Sequence, residues 1–382
     1  MKLTKLMLSA SVAALALVSC NKQDTTPQEP VRLKTVEVSL ANVILTKGVV
    51  EDAVKEGDKV VVNNFQIFLL DAQGNEYTGK TVDGAVDAQS YWDSSLPSAA
   101  SFHYVDPNCT KVVAVANMGD KFESYAALKA ALQTKPLEIG LQQNPVNLAL
   151  YAEDSDFEPT TAHNDKGADN VVYQQSAYKV ELLLKPRISR FEVDGFSVKF
   201  KDPANPKYNE IKVTQLAFQG YYPNTDLLTG VESGALVQPI TDFANQAAVY
   251  TWLDTPDASP NPWYRDAVDL TITPAAAVKD LPADGKLAYH MFSCANQVPV
   301  FVIKLIVDGQ PAYLYTKNLK DANGEPVTNF QEGYIYRMNA AGQVANNGTI
   351  EIPEEKIDPM DRCLDITVDV MSWKVTLVTP EF

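Results

Sequence analysis

Histidine, cysteine and positive charge are scarce in this chain. Its 382 residues include three histidines and four cysteines, and 32 basic residues stand against 48 acidic ones, a formal net charge of −16. Phosphate binding needs a basic face, so this balance argues against nucleic acid as a partner. No histidine belongs to a Cys, Asp or Glu cluster with metal-ligand spacing, and hydrolase, zinc-protease and phosphate-loop motifs are missing. We therefore predict that the protein is not an enzyme and needs no cofactor or metal.

The composition favours a β-rich surface or secreted protein. Hydrophobic residues make up 46% of the chain, enough to bury a core, and charged residues only 21%. The 18 glycines and 23 prolines fall largely between short apolar runs, which is typical of many turns. The length corresponds to roughly two domains of about 150 residues.

The first 20 residues have the pattern of an export signal. Lys2 and Lys5 form a basic start, and residues 6–18 form an apolar run too short for a stable membrane span of about 20 residues. The Leu17-Val18-Ser19-Cys20 sequence that follows resembles the lipobox of bacterial lipoproteins. We predict a signal peptide over residues 1–19, acylation of Cys20, and a polar tether over residues 20–34.

The other three cysteines do not form a complete disulfide framework. Cys109, Cys294 and Cys363 are odd in number once Cys20 is acylated, and no Cys-x-x-Cys occurs. Each lies beside an apolar run typical of a strand, so we expect each to be a buried small hydrophobe.

Period-two alternation and short apolar runs predict strands along most of the chain. The one strong helical pattern covers residues 122–132. Lys185-Pro186-Arg187 interrupts the strand pattern, so we place a domain boundary near residue 186. The two strand-rich halves, residues 35–186 and 187–382, predict an all-β protein of two β-sandwich domains in tandem, with a short helix in the first.

The two ends of the mature chain carry similar apolar alternation. Val36, Val38 and Leu40 alternate near the start. Near the end, residues 364–370 alternate between apolar and polar side chains, and the phase of this alternation changes after Met371-Ser372. A second set of apolar residues then follows at alternate positions, namely Trp373, Val375 and Leu377. The final segment is therefore either one bulged strand or two strands that serve different sheets.

These features together resemble the fimbrillins of Bacteroidales, the major and minor fimbrial subunits of the Porphyromonas type. The resemblance covers the whole chain loosely and both ends more closely. It rests on the lipobox at Cys20 followed by a strand, on the run Cys109 to Asn117, which is similar to that family's central strand, and on the segment Val368 to Trp373 with a terminal Glu381-Phe382.

The resemblance implies a particular fold and mode of assembly. Fimbrillins are two transthyretin-like β-sandwich domains that reach the outer membrane as lipoproteins. A trypsin-like protease then removes the first strand, here residues 35–47 with Val36, Val38 and Leu40. The emptied groove accepts the C-terminal strand of another subunit, here residues 373–382 with Trp373, Val375 and Leu377. The implied partners are other fimbrial subunits, the membrane, the protease, and receptors on host or bacterial surfaces. The implied location is the fimbrium at the cell surface.

One departure from the family concerns the cleavage site. The family has an arginine just after the first strand, where this chain has Thr46-Lys47-Gly48. Lys47 matches that arginine in position, and Arg32 matches it in chemistry but precedes the strand. Either the protease accepts lysine, or this subunit is processed differently and is an anchor or terminator. The C-terminal strand favours a stalk subunit.

A glycan-binding surface lipoprotein is the alternative. Three aromatic pairs, Tyr91-Trp92, Tyr221-Tyr222 and Trp263-Tyr264, offer rings that stack on sugars, although such residues also fill sandwich cores. A glycan binder has no use for a long apolar final strand, so the C-terminus discriminates between the two hypotheses.

The lipobox yields a direct prediction. We expect Cys20→Ala to remove acylation and block surface delivery, because Cys20 is the only residue in the lipobox position. Antibody labelling of intact cells measures the display. Normal labelling of the variant would contradict the lipoprotein interpretation.

Overall fold

A computed structural model describes most of the chain after residue 33. The described residues are 34–40, 43–47, 59–77, 90–93, 99–144, 147–161, 163–166, 172–255, 265–282, 287–294, 298–321, 323–328, 330–339, 349–357, 362–372 and 374–379. The predicted signal peptide and tether, including Cys20 and Arg32, lie outside these residues.

Strands dominate the described chain. Up to residue 186 they are β1 (Lys34–Leu40), β2 (Val43–Lys47), β3 (Lys59–Val62), β4 (Phe65–Leu70), β5 (Ser90–Asp93), β6 (Ala99–Val105), β7 (Lys111–Ala116), β8 (Leu137–Glu138), β9 (Leu150–Asp154), β10 (Glu158–Pro159), β11 (His163–Lys166), β12 (Val172–Leu182) and β13 (Lys185–Pro186). Beyond it they are β14 (Ile188–Val193), β15 (Gly195–Lys199), β16 (Ile211–Gln219), β17 (Asn224–Thr225), β18 (Glu232–Ser233), β19 (Arg265–Ile272), β20 (Val278–Asp280), β21 (Leu287–Phe292), β22 (Val300–Val307), β23 (Gln310–Lys320), β24 (Tyr334–Asn339), β25 (Thr349–Pro353), β26 (Cys363–Ser372) and β27 (Lys374–Thr379).

Two short helices accompany the strands: α1 (Tyr125–Thr134) and α2 (Gln246–Asp254). Two 3₁₀ turns cover Ile139–Leu141 and Glu354–Ile357. The predicted all-β class, with a short helix in the first half, is thereby confirmed. In the described part of the chain neither helix is long and apolar enough to cross a membrane.

The N-cap residue Ser124 sets the start of the helix α1. The hydroxyl of Ser124 accepts a hydrogen bond from the Ala127 amide, so the helix starts at Tyr125, three residues later than the apolar pattern suggests. Its buried residues Tyr125, Leu128 and Leu132 share one face, which packs on the strands β4 and β7. The helix α2, which the sequence analysis did not predict, is capped in the same way by Asn245.

The strands of the described ranges form six sheets. The first sheet has the order β10-β12-β1-β6, with β11 also on β12, and the second has the order β13-β9-β7-β4-β5. The third, of eight strands, has the order β19-β16-β22-β23-β26-β24-β14-β21. Two small sheets follow, β20-β15-β25 and β18-β17-β8. The last, β2-β27-β3, is called the terminal sheet below because it joins strands from both ends of the described chain.

Residues before position 186 contact residues after it. A hydrophobic cluster has members from both halves, and the contacts group Leu33–Phe382 as one unit. Directly after residue 186, the Arg187 guanidinium lies 4.2 Å from the Tyr151 ring centre and binds the Glu332 carboxylate at 2.6 Å. The division into two sandwich domains at this point stays a prediction.

A buried cluster of ionised side chains crosses the third sheet. Glu192 is 5% exposed and accepts hydrogen bonds from Arg190 Nε at 2.7 Å and from Arg337 Nη2 at 2.6 Å. Arg190 and Arg337 are 9% and 3% exposed. One carboxylate therefore compensates two guanidinium groups that water reaches poorly.

The neutral ring of His290 extends this cluster to the first half of the chain. Its Nε2 lies 3.0 Å from Arg190 Nη1, which can only donate, so Nδ1 carries the proton and donates to the Gln142 carbonyl at 2.7 Å. Complete burial, with the charge of Arg190 as a second cause, lowers the pKa of His290 to about 3. The ring therefore stays uncharged across the physiological range.

We predict that Glu192→Ala lowers the free energy of unfolding by about 3–5 kcal/mol, because it removes the carboxylate that binds two buried guanidinium groups. Asp269→Ala is the matched control: Asp269 binds Lys212 at 2.9 Å on the surface, and its loss should cost about 0–1 kcal/mol. Urea unfolding of the chain without residues 1–20 measures both. Equal losses in the two variants would show that the buried cluster does not stabilise the fold.

Candidate functional site: the positions of the first and last strands

The strand β1 lies in the middle of the first sheet. It pairs in parallel with β12 over seven positions, from Lys34 opposite Ser176 to Leu40 opposite Leu182. On its other edge it pairs antiparallel with β6, with a register shift between Lys34 and Val36. In the described sheet order, β1 alone connects β6 to β12. Removing it would leave a gap with an unpaired strand edge on each side.

Two side chains of β1, those of Val36 and Val38, lie in the core. Val36 and Val38 are 0% and 1% exposed, whereas Glu37 between them is exposed. Both valines belong to the main hydrophobic cluster, together with Phe102 of β6 and Val180 of β12. The alternation read from the sequence therefore corresponds to an inward and an outward face.

Lys34 occupies a cage at the start of β1. Its ammonium group donates to the carbonyl oxygens of Cys109 and Pro107. It also lies 4.4 Å from the centre of the Phe157 ring and 5.3 Å from that of Tyr178. Burial lowers the pKa of Lys34, although the nearby Cys109 and Asp106 oppose this shift. The cage holds the first residue of the strand through its charge.

The last strand, β27, lies in the middle of the terminal sheet. It runs parallel to β2, with Val43 opposite Val375 and Lys47 opposite Thr379. It also runs parallel to β3, where Val60 lies opposite Val375. The C-terminal strand is thus paired with two strands of its own chain.

The final segment is two strands that serve different sheets. The strand β26 lies in the third sheet, parallel to β23 and antiparallel to β24, and β27 begins two residues after β26 ends. Of the two alternatives derived from the phase change at Met371-Ser372, the structure shows the second. β26 joins β23 to β24 within the third sheet.

The predicted site residues fall into three groups. Val36 and Val38 lie together in the core, and Leu40 is paired through its backbone with Leu182. Val375 and Leu377 hold register positions in the terminal sheet, and Lys47 is the last residue of β2. Cys20, Arg32 and Trp373 lie outside the described residues. The roles of all these residues in lipidation, cleavage and exchange remain predictions.

Sequence reasoning missed the Lys34 cage and the terminal sheet. Lys34 begins a strand and has the appearance of an ordinary surface lysine, since its two aromatic neighbours are more than a hundred residues away. The parallel pairing of β27 also joins segments more than 300 residues apart. A signal for that pairing exists in the apolar residues of both segments, Val43 and Leu45 in the first and Val375 and Leu377 in the second.

Of the residues considered for other functions, Cys109, Cys294 and Tyr221 are described, whereas Trp263 and Tyr264 lie outside the described residues. Cys109 and Cys294 are buried, and burial raises the pKa of the Cys109 thiol. Tyr221 is 1% exposed and stacks on Phe218, with ring centres 5.2 Å apart, so its face is not open to a sugar. Across the described ranges, no group of three or more His, Cys, Asp or Glu side chains is placed to hold a metal ion.

Comparisons with known proteins return solved structures alone. No protein-family model matches the chain, and no curated protein does. A candidate cell adhesion protein from Bacteroides eggerthii DSM 20697 is 13% identical over 91% of this chain and 98% of its own, with a TM-score of 0.48. A fimbrilin from Porphyromonas gingivalis W83 is 10% identical over 90% and 99%, with a TM-score of 0.45. A fimbrial assembly protein from Parabacteroides distasonis ATCC 8503 is 13% identical over 81% and 92%, with a TM-score of 0.33. The solved structures similar to this chain thus include a fimbrilin.

The burial of β1 yields a prediction. We expect Val38→Asp to lower the free energy of unfolding by about 3 kcal/mol or more, because a carboxylate there has no access to water. Glu37→Gln, on the exposed face of the same strand, should change it by less than about 0.5 kcal/mol. Urea unfolding measures both. If the two variants unfolded alike, β1 would not be seated between β6 and β12 in solution.

Proposed function

We propose that this chain is a structural subunit of a cell-surface fimbria that is exported as a lipoprotein and serves adhesion. In this proposal subunits polymerise by donor-strand exchange after proteolysis. The observation that carries it is the central position of β1, whose removal would open a slot flanked by β6 and β12. The similarity to solved structures does not carry it, since the three TM-scores given above lie below 0.5.

The slot has the properties of a strand-binding site. Its floor is apolar where Val36 and Val38 now lie, and burial of two such side chains contributes about 3–6 kcal/mol before entropy costs. Each main-chain hydrogen bond to the edges of β6 and β12 adds about 1 kcal/mol. An extended apolar segment of another molecule would satisfy both requirements, which is β-strand addition.

The C-terminal strand of a second copy is the occupant that we propose. Residues 373–382 offer Trp373, Val375 and Leu377 at alternate positions, as β1 offers Val36, Val38 and Leu40. Such a contact joins different surfaces of the two copies, so it does not close and extends into a filament. The released first strand leaves with its lipid, which frees the subunit from the membrane.

Lys47 is the proposed cleavage site. It ends β2, so a cut after it separates the whole of β1 and β2 from the rest of the chain. A cut after Arg32 would release the lipid and leave β1 in its slot. A trypsin-like protease that accepts lysine therefore fits the strand arrangement better than one that cuts only after arginine.

We predict that Lys47→Gln abolishes assembly and that Arg32→Gln does not, because only the cut after Lys47 empties the slot. Unheated gel ladders of surface material measure assembly, and mass spectrometry should give a new N-terminus at Gly48 in wild-type fibres. Ladders from Lys47→Gln of wild-type strength, with an N-terminus at Leu33 or at lipidated Cys20, would mean that β1 stays in place and that strand exchange is wrong for this chain.

A further inference from the structure

The two strands up to Lys47, β1 and β2, belong to different sheets. β1 fills the first sheet, whereas β2 forms one edge of the terminal sheet and pairs with β27 over five positions. Since both strands lie on the N-terminal side of Lys47, one cut after that residue detaches both of them.

We propose that β2 is a latch that keeps the C-terminal strand seated in its own subunit until the chain is cut. A single cut after Lys47 then has two effects. It opens the slot between β6 and β12, and it removes one of the two strands that hold β27. The partner of the freed strand is a second copy of this chain. This inference rests on the proposed function, because it concerns when the donor strand becomes available.

The register of the terminal sheet supports the latch. Val375 lies opposite Val43 on one side and Val60 on the other, and Leu377 lies between Leu45 and Val62. Val60 and Val62 are both 0% exposed. The two positions of β27 that the exchange would use are therefore in rows of apolar residues contributed by three strands. Loss of β2 takes away one member of each row.

The loss of β2 also changes the backbone pairing of β27. With β2 present, β27 has a strand on both edges; without it, only the four-residue strand β3 remains. An apolar strand with one free edge is a template for pairing with another chain. In the uncut precursor that edge is covered, which prevents association before the subunit reaches its site of assembly.

Two cut positions separate the effects. The recognition sequence of a sequence-specific protease is inserted either after Asn42, between β1 and β2, or after Lys47. Both insertions are made in a chain that lacks residues 1–20 and carries Lys47→Gln. The first cut frees β1 alone and leaves β2 attached to the body. The second cut frees β1 and β2 together.

Acceptor and donor functions are then measured apart. A fluorescent peptide of residues 363–382 reports the open slot, and we expect it to bind both cut proteins but neither uncut one. For donation, each cut protein is mixed with an acceptor that is cut after Lys47 and lacks residues 373–382. We expect the protein cut after Asn42 to donate at least about tenfold more slowly, a difference of about 1.4 kcal/mol.

Amide hydrogen exchange is the control that reports whether each protein is folded and whether β27 stays paired within its own chain. We expect the amides of residues 374–379 to be protected in both uncut proteins and after the cut at Asn42, and to lose protection by about tenfold or more after the cut at Lys47. The latch would be overturned if the two cut proteins donated at equal rates, or if these amides were unprotected in the uncut chains. Binding of the peptide to the cut proteins would still support the exchange in that case. Failure of the peptide to bind either cut protein would overturn the exchange and the latch with it.

Discussion

The pairing of β1 on both of its edges is the constraint on which the arrangement of the first sheet depends. A central strand satisfies two rows of backbone groups on its neighbours, and these groups cannot be left bare in a dry interior without a large cost. β6 and β12 are held together through β1 alone in the described sheet order. β1 lies on the N-terminal side of Lys47, so the proposed cut after that residue would separate it from the strands that follow β2.

The buried ionic cluster lies in strands that the proposed cut would leave in place. The buried cluster of Arg190, Glu192, His290 and Arg337 lies within the third sheet and reaches the Gln142 carbonyl. None of these residues belongs to β1 or β2. Paired buried charges tolerate displacement poorly, because each separated partner would pay its desolvation cost. In the proposed exchange, this cluster would remain in the part of the chain that accepts the donor strand.

The sequence predicted local features well and distant pairings poorly. Alternation gave the buried positions Val36 and Val38, and the phase change at Met371-Ser372 separated β26 from β27. Pattern alone could not place β1 between β6 and β12, since its partners lie about 65 and 140 residues further along the chain. The alternation along a strand indicates which of its faces is buried, but it does not identify the neighbouring strand.

Two other features had no local signal. Arg190 and Glu192 occupy a strand whose six residues are all buried, so alternation distinguished no outward face there. The helix α2 buries only Val249 and Leu253, too few apolar positions to stand out in a window of the usual length. Both required knowledge of the neighbours that tertiary packing supplies.

The direct succession of β26 and β27 has a mechanical consequence. In the proposed polymer a pull on β27 would be passed directly to β26, because one residue separates the two strands. Hydrogen bonds in a sheet stand across the strands, so an axial pull loads those between β26 and its neighbours β23 and β24 in shear, all at once. A peeling load would break them one after another. In the proposed polymer, tension carried through this end would therefore enter the eight-stranded sheet, whose hydrogen bonds would resist its axial component in shear.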